Sequence, residues 1–208
     1  FLSKFLFFQE LFQISYPKFW KSVLYIFLLQ PVHVTPDAKP NTEFSISHIG
    51  LMNSDRNPKT LWKVLSDMLK ESEEFAMDLR IKLIGDYARE VQNSISDFGL
   101  QSHVDWIGYL PHQEAKKYQK SSQLLLISVN RVPSAKKILT GKLFEYLQSQ
   151  RPILGIGPVK GDLGEVLRQT EAGIIVDFDD EGQLKKELET FYKDYKAGRL
   201  IVQSKGVE

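Results

Sequence analysis

From Glu43 onward the chain alternates short apolar runs with amphipathic stretches of helical period, and this rhythm constrains the fold more than any other feature. Phe44 to Ile49 alternates apolar and polar residues and reads as a strand. Asn57 suits an N-cap with Pro58 at the first helical position. Behind them Leu61, Trp62, Leu65, Met68 and Leu69 make one apolar face. Leu79 to Ile84 is a second strand, ended by Gly85. Tyr87, Val91, Ile95 and Phe98 then recur at helical spacing up to a stop at Gly99. Val104 to Ile107 is a short strand before Gly108, and Gln113 to Gln119 a short helix. Leu124 to Ser128 is a continuous apolar run, as expected of a strand covered on both faces. Helix Lys142 to Ser149, strand Pro152 to Ile156, helix Asp162 to Gln169, strand Gly173 to Val176 and helix Glu181 to Ala197 complete the series. The last helix has Asp179, Asp180 and Glu181 at its start and Lys193, Lys196 and Arg199 towards its end, the favourable direction for the helix dipole. Strand–helix units in series predict an α/β domain with a doubly wound, mostly parallel sheet and helices on both faces.

Residues 1–40 are different. Phe1 to Gln30 is crowded with aromatic residues, and Pro31, Pro36 and Pro40 then mark a linker or an extended crossing segment. The reading divides the chain into an aromatic-rich segment with its linker, 1–40, and a domain, 41–208. Residues 1–30 are open to three readings: a remnant of a further domain, helices covering the sheet, or a peripheral membrane contact in which Lys4, Lys18 and Lys21 sit beside aromatics. Glu10, Lys18 and Lys21 interrupt any signal-peptide pattern, and no apolar stretch has the length of a transmembrane helix. The first residue is Phe1, so the chain reads as a fragment or a processed or engineered product. With 208 residues there is enough chain for one well-buried α/β core. The absence of cysteine excludes a disulfide scaffold and a cysteine zinc site, and it suits the cytoplasm. A net charge of +1 advertises no nucleic-acid partner.

Doubly wound sheets bind ligands at the carboxyl ends of their strands. After the first strand, Gly50 permits close backbone approach and Arg56 stands shortly before a helix N-terminus. Backbone amides, the helix dipole and a guanidinium together favour an anion there; the alternative is a plain connection with a solvent-facing Arg. After the fourth strand comes a long loop, Asn130 to Lys142, which contains Arg131, Lys136 and Lys137 and ends in Thr140-Gly141-Lys142 at a helix start. Gly141 would let the first helical amides face a phosphate and Lys142 would add a point charge. The glycine spacing is not that of a P-loop. One turn on, Glu145 lies among apolar neighbours. It needs hydrogen-bond partners, which a ribose diol supplies; a nearby basic residue such as Arg151 is the alternative.

The segment Thr140-Gly141-Lys142-Leu143-Phe144-Glu145-Tyr146-Leu147, with Arg151-Pro152-Ile153-Leu154 behind it, resembles the (S/G)-K-L-F-E-Y-L-A-x-G-K-P-(I/V) signature of family-4-type, group 1 glycosyltransferases of GT-B fold. Val104 to Glu114, with Gly108-Tyr109-Leu110-Pro111 inside it, is similar to that family's V-x-F-x-G-Y-(V/L)-P-x-x-E segment. Gly161 to Glu165 and Ala172 to Val176 resemble its last two βα units. The match covers roughly residues 43 to 198, the C-terminal, Rossmann-like half of that fold. The resemblance implies a nucleoside diphosphate sugar as donor substrate, with no cofactor and no metal. It implies Glu145 at the ribose and Gly141 and Lys142 at the pyrophosphate, with Thr140 and Leu143 beside them. Arg56 would also face the diphosphate, next to Gly50, and Gly108, Tyr109 and Leu110 would border the nucleobase. It further implies retention of configuration, an acceptor that is often a bacterial surface glycan, and a site in the cytoplasm or at the inner face of the membrane. An N-terminal acceptor domain is the implied partner; too little sequence precedes residue 43 to build one, so little transfer is expected from the chain alone.

Three positions depart from the pattern. The second Glu found in many members, eight residues before the ribose Glu, is Lys137 here. The usual Gly before Lys/Arg-Pro is Gln150, which bears on turn geometry. The family's first-loop Lys-Gly pair is replaced by Asp55-Arg56-Asn57-Pro58. His48, late in the first strand, is either a ligand contact or a satisfied core histidine, and His33, His103 and His112 show no metal spacing. Asp177, Asp179, Asp180 and Glu181 read as a solvated helix start rather than a cation site. Two other functions stay open on the residues alone: a nucleotide-sugar epimerase of the same fold, which needs carboxylates around the sugar, and a non-catalytic interaction domain.

Overall fold

The computed structural model describes residues 42–200. The aromatic segment, the proline linker and the membrane reading attached to residues 1–30 therefore lie outside the described residues.

Six strands form one parallel sheet: β1 (Phe44–Ile49), β2 (Leu79–Ile84), β3 (Val104–Ile107), β4 (Leu124–Ser128), β5 (Ile153–Ile156) and β6 (Gly173–Val176), in the order β3-β2-β1-β4-β5-β6. The connecting helices are α1 (Lys59–Glu71), α2 (Glu73–Asp78), α3 (Arg89–Asp97), α4 (His112–Ser121), α5 (Gly141–Ser149), α6 (Asp162–Thr170) and α7 (Glu181–Lys196). Helices α1, α2, α3 and α7 bury Leu61, Trp62, Phe75, Val91, Leu184 and Leu188 on one face with Ile46, Ile81, Leu124 and Leu126. Helices α4, α5 and α6 bury Ala115, Leu143, Tyr146 and Val166 on the other with Ile49, Leu125, Ile127 and Ile153. Successive side chains of a strand point to opposite faces, so the unbroken apolar run of β4 feeds both cores. This is the doubly wound arrangement that the alternation predicts.

The local differences have physical causes. β1 is a strand as its alternation predicts, and all six of its residues, polar ones included, are buried. Its polar positions are satisfied internally: the Ser45 hydroxyl accepts from the Gln123 amide at 3.0 Å, and Ser47 Oγ lies 2.7 Å from Ser122 Oγ. Asn57 does not cap α1. Its amide nitrogen closes a short helical turn, Ser54–Arg56, while its side chain accepts from Trp62 Nε1 at 2.8 Å and donates to Ser94 Oγ at 2.8 Å. Tyr87 precedes α3 instead of joining it, because residue 87 pairs with Met52 in an isolated parallel bridge. α2 is an additional element: Ser72 caps it by accepting from the Phe75 amide at 3.2 Å, and Glu73 and Glu74 occupy its first turn. Among the described residues no helix is long and apolar enough to cross a membrane.

Candidate functional site

In this strand order the topological switch lies between β1 and β4, where connections leave to opposite sides and ligands bind. The ladder between these two strands is short. Ile46 and Ser47 pair with Leu124 and Leu125, and His48 and Ile49 run on without a β4 partner. The Ile49 amide donates instead to the hydroxyl of Tyr146 on α5 at 3.0 Å. The strands thus part towards their carboxyl ends and leave a cleft, open to solvent, lined by His48, Arg56, Ser128, Asn130, Thr140 and Lys142 on its polar side.

Two cations from different loops face this cleft. Arg56 ends the helical turn after β1; its Nε donates to Asn130 Oδ1 at 2.6 Å and its Nη1 to the Leu51 carbonyl at 3.3 Å. Its guanidinium is therefore turned to the β4–α5 loop, and the lining includes no residue of α1: the helix N-terminus at the cleft is that of α5. Thr140 is the N-cap of α5, its hydroxyl accepting from the Lys142 amide at 3.4 Å. The Lys142 side chain folds back so that Nζ sits 3.0 Å from His48 Nε2. Burial and the Arg56 charge, partly offset by Glu145, bring the Lys142 ammonium down to about 8. Burial, then Lys142 and Arg56, hold the His48 imidazole well below its usual range, so the ring is neutral.

Gly50 makes this packing feasible. It adopts φ +113°, and a Cβ there would come within 3.0 Å of Lys142 Nζ. A Cβ on Gly85, at φ +118°, would meet the Gly50 carbonyl oxygen at 2.7 Å. Gly50 donates to the Ile84 carbonyl at 2.7 Å and Gly85 to Ile107 at 2.9 Å, so the ends of β1, β2 and β3 are tied in a row.

The sequence-derived residues separate accordingly. Arg56, Thr140 and Lys142 meet in the cleft, with Gly50 against Lys142 and Gly141 and Leu143 in the first turn of α5. A Cβ on Gly141 would stand in open space, so nothing in the protein itself demands glycine there. Glu145 lies one helical turn beyond Lys142, half-buried. Its Oε2 accepts from Gln119 Nε2 at 3.0 Å. Arg151 is not its partner: that guanidinium is buried against the Ser122 carbonyl and the Gln123 side chain, and burial lowers it to about 10. Gly108, Tyr109 and Leu110 follow β3, two strands from β1, with Tyr109 83% exposed. The remaining cations of the long loop lie outside the lining. Arg131 makes a bidentate pair with Asp179, at 2.8 and 2.9 Å, and Lys136 and Lys137 are exposed. Asp180 caps α7 by accepting from the Gln183 amide at 2.9 Å, and Glu181 pairs with Lys63 at 2.6 Å. Sequence reasoning missed Asn130 and Tyr87 as parts of the site. The position of Tyr87 just past Gly85, at the carboxyl end of a strand, is the signal that marks it.

The family profile described as glycosyl transferases group 1 matches residues 43–194. The chain belongs to this family. Among solved structures it is similar to WaaG, a glycosyltransferase involved in lipopolysaccharide biosynthesis (TM-score 0.63, 12% identity over 79% of this chain and 44% of that one). It is also similar to the C-terminal domain of the group 1 protein LpcC from Francisella tularensis (TM-score 0.56, 15% identity, 80% of this chain and 83% of that one). A third is a mutant of S. aureus TarM solved with fondaparinux, α-GlcNAc-glycerol and UDP (TM-score 0.60, 15% identity, 82% of this chain and 32% of that one). At such identities the likeness is one of fold, and the chain spans less than half the length of WaaG. A search of curated proteins returned no significant match. The group 1 glycosyltransferases thus account for the doubly wound α/β domain and its GT-B-type architecture.

Proposed function

We propose that the β1–β4 cleft binds the diphosphate of a nucleoside diphosphate sugar and that this domain is the donor half of a glycosyltransferase. One observation carries the reading: Arg56 and Lys142 arrive from separate loops and converge, with the N-terminus of α5, on one cleft whose lining contains no carboxylate. Two like charges held within electrostatic reach of each other disfavour the ligand-free state, and an anion between them relieves that repulsion. The S. aureus TarM structure, of the same fold, was solved with UDP.

The same arrangement suits the chemistry. During transfer the bond from the anomeric carbon to the diphosphate breaks, a bond to the acceptor oxygen forms, and negative charge grows on the departing diphosphate. Fixed cations and amides stabilise that charge without reorganising. Glu145, at i+3 from Lys142 and so near the same face of α5, is the acceptor we assign to the ribose diol. The acceptor's proton goes to a base outside this cleft, because both nitrogens of His48 are already engaged. Acceptor binding belongs to a second domain in this reading, and a surface glycan as acceptor remains a family expectation.

Calorimetric titration of the chain with UDP, GDP and ADP tests the reading. One nucleotide should bind saturably, and Arg56→Ala and Lys142→Ala should each weaken it by about 10-fold or more, the range for charge-assisted hydrogen bonds. A folded chain that binds none of the three would return the cleft to a structural role.

A further inference from the structure

The hydrogen positions around His48 follow from its neighbours. An ammonium has donors only, so the ring nitrogen facing Lys142 Nζ, Nε2 at 3.0 Å, is the unprotonated one. The proton is then on Nδ1, which faces Tyr87 Oη at 2.8 Å. That oxygen accepts it and donates its own hydrogen to the His48 carbonyl at 2.9 Å or the Ile84 carbonyl at 3.3 Å. One tautomer satisfies every atom in the chain. The opposite tautomer, or a doubly protonated ring, would aim an N–H at the ammonium.

We infer that His48 is a positioning residue: its neutral Nε2, fixed in this tautomer by Tyr87, holds the Lys142 ammonium in the β1–β4 cleft. The inference rests on the proposal that the cleft takes the donor diphosphate. A lysine has four rotatable side-chain bonds and would otherwise sample many directions. Here Nζ lies 3.0 Å from the histidine ring nitrogen, in space that a side chain at position 50 would crowd. The groups facing it are His48 from β1, Arg56 from the β1–α1 connection and Glu145 from its own helix; those facing His48 are Lys142, Arg56 and Tyr87. Of these neighbours His48 alone accepts a hydrogen bond from the ammonium while adding no negative charge to compete with an anion. A carboxylate at this position would anchor the lysine equally well and neutralise it.

The test compares the full chain with His48→Phe, which keeps a ring of similar size against Tyr87 but loses the acceptor, and His48→Gln, whose amide oxygen can replace Nε2. Titration of the Lys142 13Cε signal reads the contact directly, without nucleotide. His48→Phe should move the midpoint down by at least half a pH unit, because the ammonium loses its acceptor, and His48→Gln should restore most of it. With whichever of UDP, GDP or ADP the unaltered chain binds, His48→Phe should weaken affinity at pH 7.5 by about 5- to 10-fold and His48→Gln by under threefold. A folded His48→Phe chain whose Lys142 midpoint and nucleotide affinity both match the unaltered protein overturns the inference. A shifted midpoint in a chain that binds no nucleotide sinks the donor-site proposal and, with it, any positioning role towards a diphosphate.

Discussion

The guanidinium of Arg56 donates through Nε to Oδ1 of Asn130 at 2.6 Å, joining the loop after β1 to the loop after β4. A second tie runs alongside it, from the Arg131 amide to the Asp55 carbonyl at 2.8 Å. The backbone of the two loops is therefore linked independently of the side-chain contact, and Asn130 acts mainly on where the guanidinium points. Asn130→Ala should leave the melting temperature nearly unchanged while lowering nucleotide affinity about 3- to 10-fold, a loss of orientation rather than of charge. Calorimetry beside a thermal melt separates the two. Affinity equal to that of the unaltered chain would mean that the Leu51 carbonyl suffices to aim Arg56.

Protonation of Lys142 should show in the pH dependence of binding. In the ligand-free protein the ammonium is lowered to about 8, first by burial and then by Arg56. A bound diphosphate favours the charged form and raises it again, so binding takes up protons around pH 8 and affinity falls as pH rises through that range. Uptake at pH 8 should approach about half a proton, measurable by calorimetry in buffers of different ionisation enthalpy. His48, held well below its usual range, stays neutral and adds no second transition near pH 6. Release of protons, or flat affinity from pH 7 to 9, would contradict the assignment of Lys142 to the anion.

The opening of the cleft depends on Tyr146, whose hydroxyl takes the Ile49 amide hydrogen that a longer β1–β4 ladder would have used. The side chain is fully buried. In Tyr146→Phe that amide is left without its acceptor, at a cost of about 1–3 kcal/mol. The melting temperature should drop by about 2–4 °C per kcal/mol for a domain of this size. An unchanged melt would show that the two strands can re-pair beyond Ser47 and close the gap.

Much of this was legible from the residue pattern, and what was not has identifiable causes. Strand and helix identities follow from periodicity because each element buries one face or two, and the two cores keep that record. The cleft cations were legible because Arg56 and Lys142 lie in the connections that follow β1 and β4 and lead into helices. The burial of the polar residues of β1 was not legible, since hydroxyls satisfied by Ser122 and Gln123 look the same in sequence as hydroxyls facing water. Tyr87 fell into register with the apolar face of α3 by spacing alone, although its bridge to Met52 holds it out of the helix. The pairing of Arg56 with Asn130, 74 residues apart in sequence, had no local signal at all.

Gln150 tests the reading of a departure from the family pattern. It follows α5 with φ +57°, in the left-handed region, where the family's usual residue is glycine. A residue with a Cβ is disfavoured there by about 1–2 kcal/mol. A glycine in its place would remove that strain while adding backbone entropy to the unfolded chain, which takes back about 0.5–1 kcal/mol. On these backbone effects alone the first exceeds the second, so Gln150→Gly should stabilise the fold by about 0.5–1 kcal/mol, less whatever its side-chain interaction contributes, and raise the melting temperature. Glu171→Gly is the companion, because Glu171 ends α6 with φ +52°. Neither residue lines the β1–β4 cleft, so nucleotide affinity should stay as it is in both. A lower melting temperature in Gln150→Gly would show that contacts of the glutamine side chain outweigh the strain of its backbone.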